Sequence, residues 1–198
     1  MLTPARRRDG ARDPLMNSKG LPRIAFGRTG WQVTRLGIGT IPLIKLPERV
    51  SEETLNHALD VGINLVDTAE QYEPMQERIG RFISHRRKEY VLTTKTYALK
   101  GDEARRSLEK SLKAMRTDVI DGYLVHSVSS LDRWNEVRAD GAVLSVLQLA
   151  REQGVIGQVG ISVHRDVRVM REAIESGLFS FIMLAYSPLD QELSLIHI

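Results

Sequence analysis

The amino-acid sequence predicts an α/β protein of the (β/α)8 TIM barrel class, of which it carries the first six βα units plus an N-terminal β-hairpin. Three observations lead there. Short β-rich apolar runs alternate with amphipathic helical segments from residue 35 onward, and such alternation means parallel strands joined by right-handed crossovers. The runs end at residues 39, 67, 95, 126, 162 and 186, a repeat of 24 to 36 residues that suits a barrel or a doubly wound sheet. The first run decides between them. Gly37-Ile38-Gly39-Thr40 supplies two of the three glycines of a dinucleotide-binding turn, and Pro42 and Pro47 stand where its helix would open. A barrel is favoured.

The hairpin comes first: Arg23–Phe26, a turn over Gly27-Arg28-Thr29-Gly30, then Trp31–Val33. It is placed to plug the bottom of the barrel. The strands are Arg35–Gly39, Ile63–Asp67, Tyr90–Lys95, Val119–His126, Gly157–Ser162 and Phe179–Tyr186, with helices over 51–61, 76–87, 102–115, 140–153 and 166–176. The third helix sets Ala104, Leu108, Leu112 and Met115 on one face, a 3.6-residue period. Gly62, Gly154 and Gly177 each end a helix just before an apolar residue, where a left-handed C′ residue is needed.

Composition narrows the function. Of 198 residues, 42% are hydrophobic and 27% charged, ordinary for a globular protein, and the apolar runs are too short to span a bilayer. There is no cysteine, which removes disulfides and thiolate chemistry and fits a cytoplasmic location. None of the five histidines pairs at metal-ligand spacing, so no metal site is expected. The net charge of +3 lies wholly in residues 1–20, where Arg6, Arg7, Arg8, Arg12 and Lys19 face Asp9 and Asp13. A nucleic-acid or membrane partner would rest on that arm alone, and neither is expected. Residues 1–20 read as a disordered basic arm, an Arg-rich targeting peptide, or a mis-start with Met16 as the true first residue. Residues 21–192 are the partial barrel.

Barrel active sites gather at the carboxyl ends of strands, and here those ends carry Asp67, Lys95 and His126, with Tyr72 in the loop after Asp67. Alternation puts Ile63, Leu65 and Asp67 on one face, as it does Val91, Thr93 and Lys95, and Leu124 and His126. Singly, each has a structural explanation: a loop cap, a solvated strand end, a core histidine, a loop aromatic. Together they make a constellation, because burying unpaired charge is costly. A phenol with an ordinary pKa of about 10 is a reluctant acid; a neighbouring ammonium should lower it, and a carboxylate should hold that ammonium in place. An imidazole can donate to a carbonyl oxygen. The set can polarise a carbonyl and protonate it, while the hydride must come from a cofactor.

At this point the sequence resembles the aldo-keto reductase family. The resemblance is carried by Phe26-Gly27-Arg28-Thr29-Gly30, Leu36-Gly37-Ile38-Gly39-Thr40 and Gly62–Ala69, then Tyr72, Glu77-Arg78-Ile79-Gly80 and Thr94-Lys95, and finally Tyr123–His126 and Val159-Gly160-Ile161-Ser162. It implies NADPH-dependent reduction of a small aldehyde or ketone, NADH not being excluded. Tyr72 would be proton donor, Asp67 and Lys95 its tuning pair, and His126 would orient the carbonyl. Ser162 would contact the nicotinamide amide, and Gly39, Thr40 and Asp67 would lie at the cofactor. Val163, Met183 and Met75-Gln76 depart from the family pattern at three cofactor-side or helix-start positions.

A barrel of this type needs about 250 residues, so this chain alone is expected to be inactive. Leu193–Ile198 breaks the pattern and reads as a non-native tail; a translation of CTGTCTCTTATACACATC, a sequencing-adapter end, has the same six residues. Two other functions compete: a cofactor-binding regulatory subunit of reductase fold, which could keep every residue above, and a Schiff-base aldolase using Lys95, which leaves Tyr72 and Asp67 idle.

Overall fold

A computed structural model of the chain describes residues 20–187 and 189. The basic arm up to residue 19 and the tail over 193–198 lie outside them. Strands β1 (Arg23–Ala25) and β2 (Gln32–Thr34) form an antiparallel hairpin. Six further strands follow: β3 (Ile38–Gly39), β4 (Leu65–Asp67), β5 (Val91–Thr96), β6 (Ile120–Val125), β7 (Ile156–Val163) and β8 (Phe181–Leu184). They pair in sequence order, every neighbour parallel, in a sheet curled into part of a barrel. Among the described residues β3 and β8 are its outer strands.

Helices α1 (Glu48–Asp60), α2 (Met75–Phe82), α3 (Gly101–Met115), α4 (Leu131–Arg138), α5 (Val143–Glu152) and α6 (Val167–Glu175) make the crossovers. Gly62, Gly154 and Gly177 have φ of +93°, +73° and +65° just past α1, α5 and α6, the left-handed stops read from the sequence. Two helix readings need correction. The segment read as one helix over 76–87 is α2 followed by a 3-10 helix, Ser84–Glu89. The crossover between β6 and β7 holds two helices, not one. α4 starts at Ser130, whose hydroxyl accepts from the Arg133 N–H at 3.2 Å, and it buries Trp134 and Val137. Its signal was the three-residue spacing of Leu131, Trp134 and Val137, masked by five charged or amide neighbours.

The finished core lies between sheet and helices. Val66, Leu92, Tyr123, Val125, Val159, Ile161 and Val163 are fully buried on the helix side, where each large apolar side chain contributes about 1.5–3 kcal/mol. Gly80 lets α2 cross α3 closely: a Cβ there would stand 2.1 Å from the Ala114 carbonyl oxygen. The predicted stripe of α3 is buried at Ala104, Leu108 and Met115, while Leu112 is only half-buried. Ser107 and Ser111 join the stripe instead. Gln76 explains one departure from the family pattern: its buried amide donates to Thr94 at 2.8 Å and to Ser111 at 2.9 Å, tying α2, β5 and α3 together.

The hairpin reaches the other face of the sheet. Phe26 stacks on Trp31 at 5.9 Å, and both meet Phe181 of β8 edge-on. Gly122 on β6 makes room, since a Cβ there would lie 3.0 Å from Trp31 Cη2. Asn64 fastens the hairpin to the barrel: its Oδ1 accepts from the Thr34 N–H at 2.7 Å and its Nδ2 donates to the Gln32 carbonyl at 2.9 Å.

Candidate active site

Parallel register sets the site. Asp67 on β4 stands opposite Thr93 on β5, and Lys95 opposite Leu124 on β6. Asp67 and Lys95 therefore point to the same face from neighbouring strand ends. Lys95 Nζ donates to Asp67 Oδ2 at 2.5 Å and to the Thr68 carbonyl at 2.8 Å. The Thr93 hydroxyl donates to Asp67 Oδ1 at 2.7 Å, so both carboxylate oxygens are engaged. The lysine is 1% exposed. Burial drives its pKa down, opposed by the charge and hydrogen bond of Asp67. A clasped, buried amine of this kind is not presented as a nucleophile, which weighs against the aldolase reading.

Tyr72 is brought in by a tight loop. The Glu70 N–H donates to the Lys95 carbonyl at 3.1 Å and the Tyr72 N–H to the Ala69 carbonyl at 3.0 Å. On the other side of β5 the Ser107 hydroxyl donates to the Glu70 carboxylate at 2.7 Å, with the Thr96 hydroxyl 3.1 Å from the same oxygen. The loop is stitched to its strand from both sides. Lys95 Nζ then lies 5.3 Å from the centre of the Tyr72 ring.

One electrostatic expectation is overturned. The net direction for Tyr72 is upward: burial raises its pKa, with Asp67 and Tyr97 adding to the rise. The physical reason is that burial penalises the charged phenolate and outweighs the ammonium, whose Nζ lies 5.3 Å from the ring centre. The phenol is thus held in its acid form.

His126 follows β6, its N–H donating to the Thr96 carbonyl at 2.8 Å. Tyr97 stacks on its ring at 4.4 Å and 21°, and Tyr72 meets it edge-on at 5.8 Å. Burial first, then Lys95, His164 and Arg133, lower the imidazole pKa to about 4. It is neutral at pH 7.

Ser162, on β7, is fully buried, and its Oγ accepts from the Ser127 N–H at 2.6 Å; among the described residues its own proton has no acceptor. Thr40 Oγ1, beyond β3, is buried without a hydrogen-bond partner among the described residues, as is Thr68 Oγ1. A Cβ on Gly39 would meet nothing within 4 Å, so the strand end faces open ground. An unpartnered buried hydroxyl next to an open strand end is compatible in chemistry with a polar cofactor group there.

The structure brings Asp67, Tyr72, Lys95 and His126 together and places Gly39, Thr40 and Ser162 at neighbouring strand ends. Sequence reading missed four neighbours. Tyr97 and His164 were legible by alternation, two residues past Lys95 and Ser162. Gln71, whose Oε1 lies 3.1 Å from His126 Nδ1, stood beside Tyr72. Arg133 had no local signal, because it comes from the missed α4; it donates to the Tyr97 and His126 carbonyls at 3.0 and 3.3 Å.

The model of the Aldo/keto reductase family matches residues 35–198. Methylglyoxal reductase DkgB of Salmonella typhimurium is 31% identical over 147 residues, 72% of this chain and 52% of that protein. The Bacillus subtilis protein named oxidoreductase YrpG is 32% identical over 136 residues, 57% of this chain and 42% of its own length. The chain thus spans about half the length of the curated relatives it matches. Among solved structures, the thermostable aldo-keto reductase Tm1743 superposes with a TM-score of 0.74 at 28% identity, over 87% of this chain and 65% of that one. AKR11C1 of Bacillus halodurans, in its holo form, gives 0.78 at 23% identity over 88% and 61%, a likeness of fold.

Proposed function

The chain belongs to the aldo/keto reductase family, and on that premise we propose that its site reduces an aldehyde or ketone to the alcohol, reversibly, with NADPH as hydride donor and Tyr72 as proton donor. The observation that carries this reading is the Lys95 ammonium, buried, clasped by Asp67 and Thr68, and seated against the Tyr72 ring.

Bound NADPH supplies the hydride; Gly39, Thr40, Asp67 and Ser162 are the residues that would hold its nicotinamide end. The remaining chemistry is the chain's own. Tyr72, kept protonated by burial, holds the proton that the carbonyl oxygen takes as it becomes an alkoxide. The Lys95 charge then offsets the charge left on the phenolate, and Asp67 keeps Lys95 charged despite its burial. Neutral His126 is a second hydrogen-bond donor to the same oxygen, and such donors act strongly in a water-poor site. Positioned proton transfer of this kind contributes about 10²- to 10⁴-fold.

The substrate is a small carbonyl compound, the reading includes neither nucleic acid nor membrane as partner, and the protein is placed in the cytoplasm. The test is NADPH consumption by the complete gene product across a panel of aldehydes and ketones, with the alcohol identified by mass spectrometry. Stoichiometric alcohol supports the reading; nucleotide binding with no turnover of any carbonyl overturns it in favour of a regulatory subunit.

A further inference from the structure

His126 is held from three sides. Tyr97 stacks on one face at 4.4 Å, Tyr72 meets the ring edge-on at 5.8 Å, and His164 lies at 6.5 Å. His126 is 4% exposed, so its ring has little freedom to turn over. Its two nitrogens therefore have fixed directions. Nδ1 faces the side-chain amide of Gln71 at 3.1 Å. Among the described residues Nε2 has no hydrogen-bond partner, which leaves it for a substrate oxygen.

A neutral imidazole carries one N–H and one lone pair. A carbonyl oxygen only accepts, so it can be bound through Nε2 only when the proton is there and Nδ1 is the acceptor. Nδ1 then needs a donor, and Gln71 has one. Its amide presents Oε1 as it stands, which pairs with a proton on Nδ1; a half-turn presents the NH₂ group to the same nitrogen. The first orientation leaves Nε2 able only to accept. The second leaves it able to donate.

We infer that Gln71 is a positioning residue that selects the tautomer of His126, and that the carbonyl-binding form has the Gln71 NH₂ donating to Nδ1 and the proton on Nε2. This rests on the proposal that His126 receives the substrate carbonyl.

The experiment reads the tautomer directly. Long-range ¹H–¹⁵N correlation spectra are recorded on the complete gene product, ¹⁵N-labelled at histidine, at about pH 8, where the ring is neutral. No substrate is present. Wild type should show the proton on Nε2. In Gln71→Glu the carboxylate can only accept, and the proton should move to Nδ1. In Gln71→Leu neither form is favoured, and both should populate. The same tautomer in wild type and Gln71→Glu overturns the inference, as does a wild type already protonated at Nδ1. Because the readout needs no turnover, a protein that switches tautomer yet reduces no carbonyl refutes the reductase reading and leaves the Gln71–His126 relationship standing.

Discussion

Lys95 Nζ and Asp67 Oδ2 stand 2.5 Å apart, on adjacent strands, with the lysine side chain 2% and the aspartate side chain 18% exposed. A buried pair of this kind responds asymmetrically: removing one partner strands the other's charge, at about 3–5 kcal/mol, while removing both is far milder. Lys95→Met should therefore lower stability markedly, and adding Asp67→Asn should recover much of it. Activity should behave differently, because the Tyr72 phenolate needs the ammonium. Urea unfolding and turnover measured on the same three proteins separate the two effects. Recovery of near-normal turnover in Lys95→Met/Asp67→Asn would make the pair structural only.

His126 gives a pH prediction with a definite sign. Its folded pKa is lowered to about 4 from 6.5, so between these values the unfolded chain binds more protons than the native one. Stability from this group is complete above about 6.5 and is lost as pH falls through about 4. A histidine-selective NMR titration should show the His126 ring titrating near 4. A midpoint at its ordinary value, about 6.5, contradicts the packing described for it.

Asn64 is a stability prediction free of catalysis. Its side chain is the acceptor for the Thr34 N–H and a donor to Gln32, and it is 7% exposed. Asn64→Ala leaves a buried backbone donor unmet and should cost about 1–3 kcal/mol, loosening the hairpin. Unchanged urea unfolding, with unchanged hydrogen exchange at Thr34, would contradict this.

The strand ends were the most legible part of the molecule. Alternation assigns Asp67 and Lys95 to one face because a strand's period is two, and the register confirms it. The glycine stops were legible because only a left-handed residue ends a helix that way. What sequence did not reveal depends on contacts between distant segments. Arg133 reaches the site from a helix whose polar surface hid its stripe. The raised pKa of Tyr72 needed the burial of its ring and the nearby charge of Asp67, neither visible from residue types. Asn64 belongs to the family-like segment Gly62–Ala69, yet its hydrogen bonds serve the hairpin thirty residues upstream.

The most direct test of the account is Tyr72→Phe in the complete gene product. Only the hydroxyl is removed, so ring packing against His126 and Lys95 is kept. NADPH affinity, followed by fluorescence titration, should stay within about threefold of wild type, and carbonyl reduction should fall by about 10²-fold or more. Turnover within about threefold of wild type would show that the proton comes from elsewhere, and the assignment of Tyr72 as the acid would be wrong.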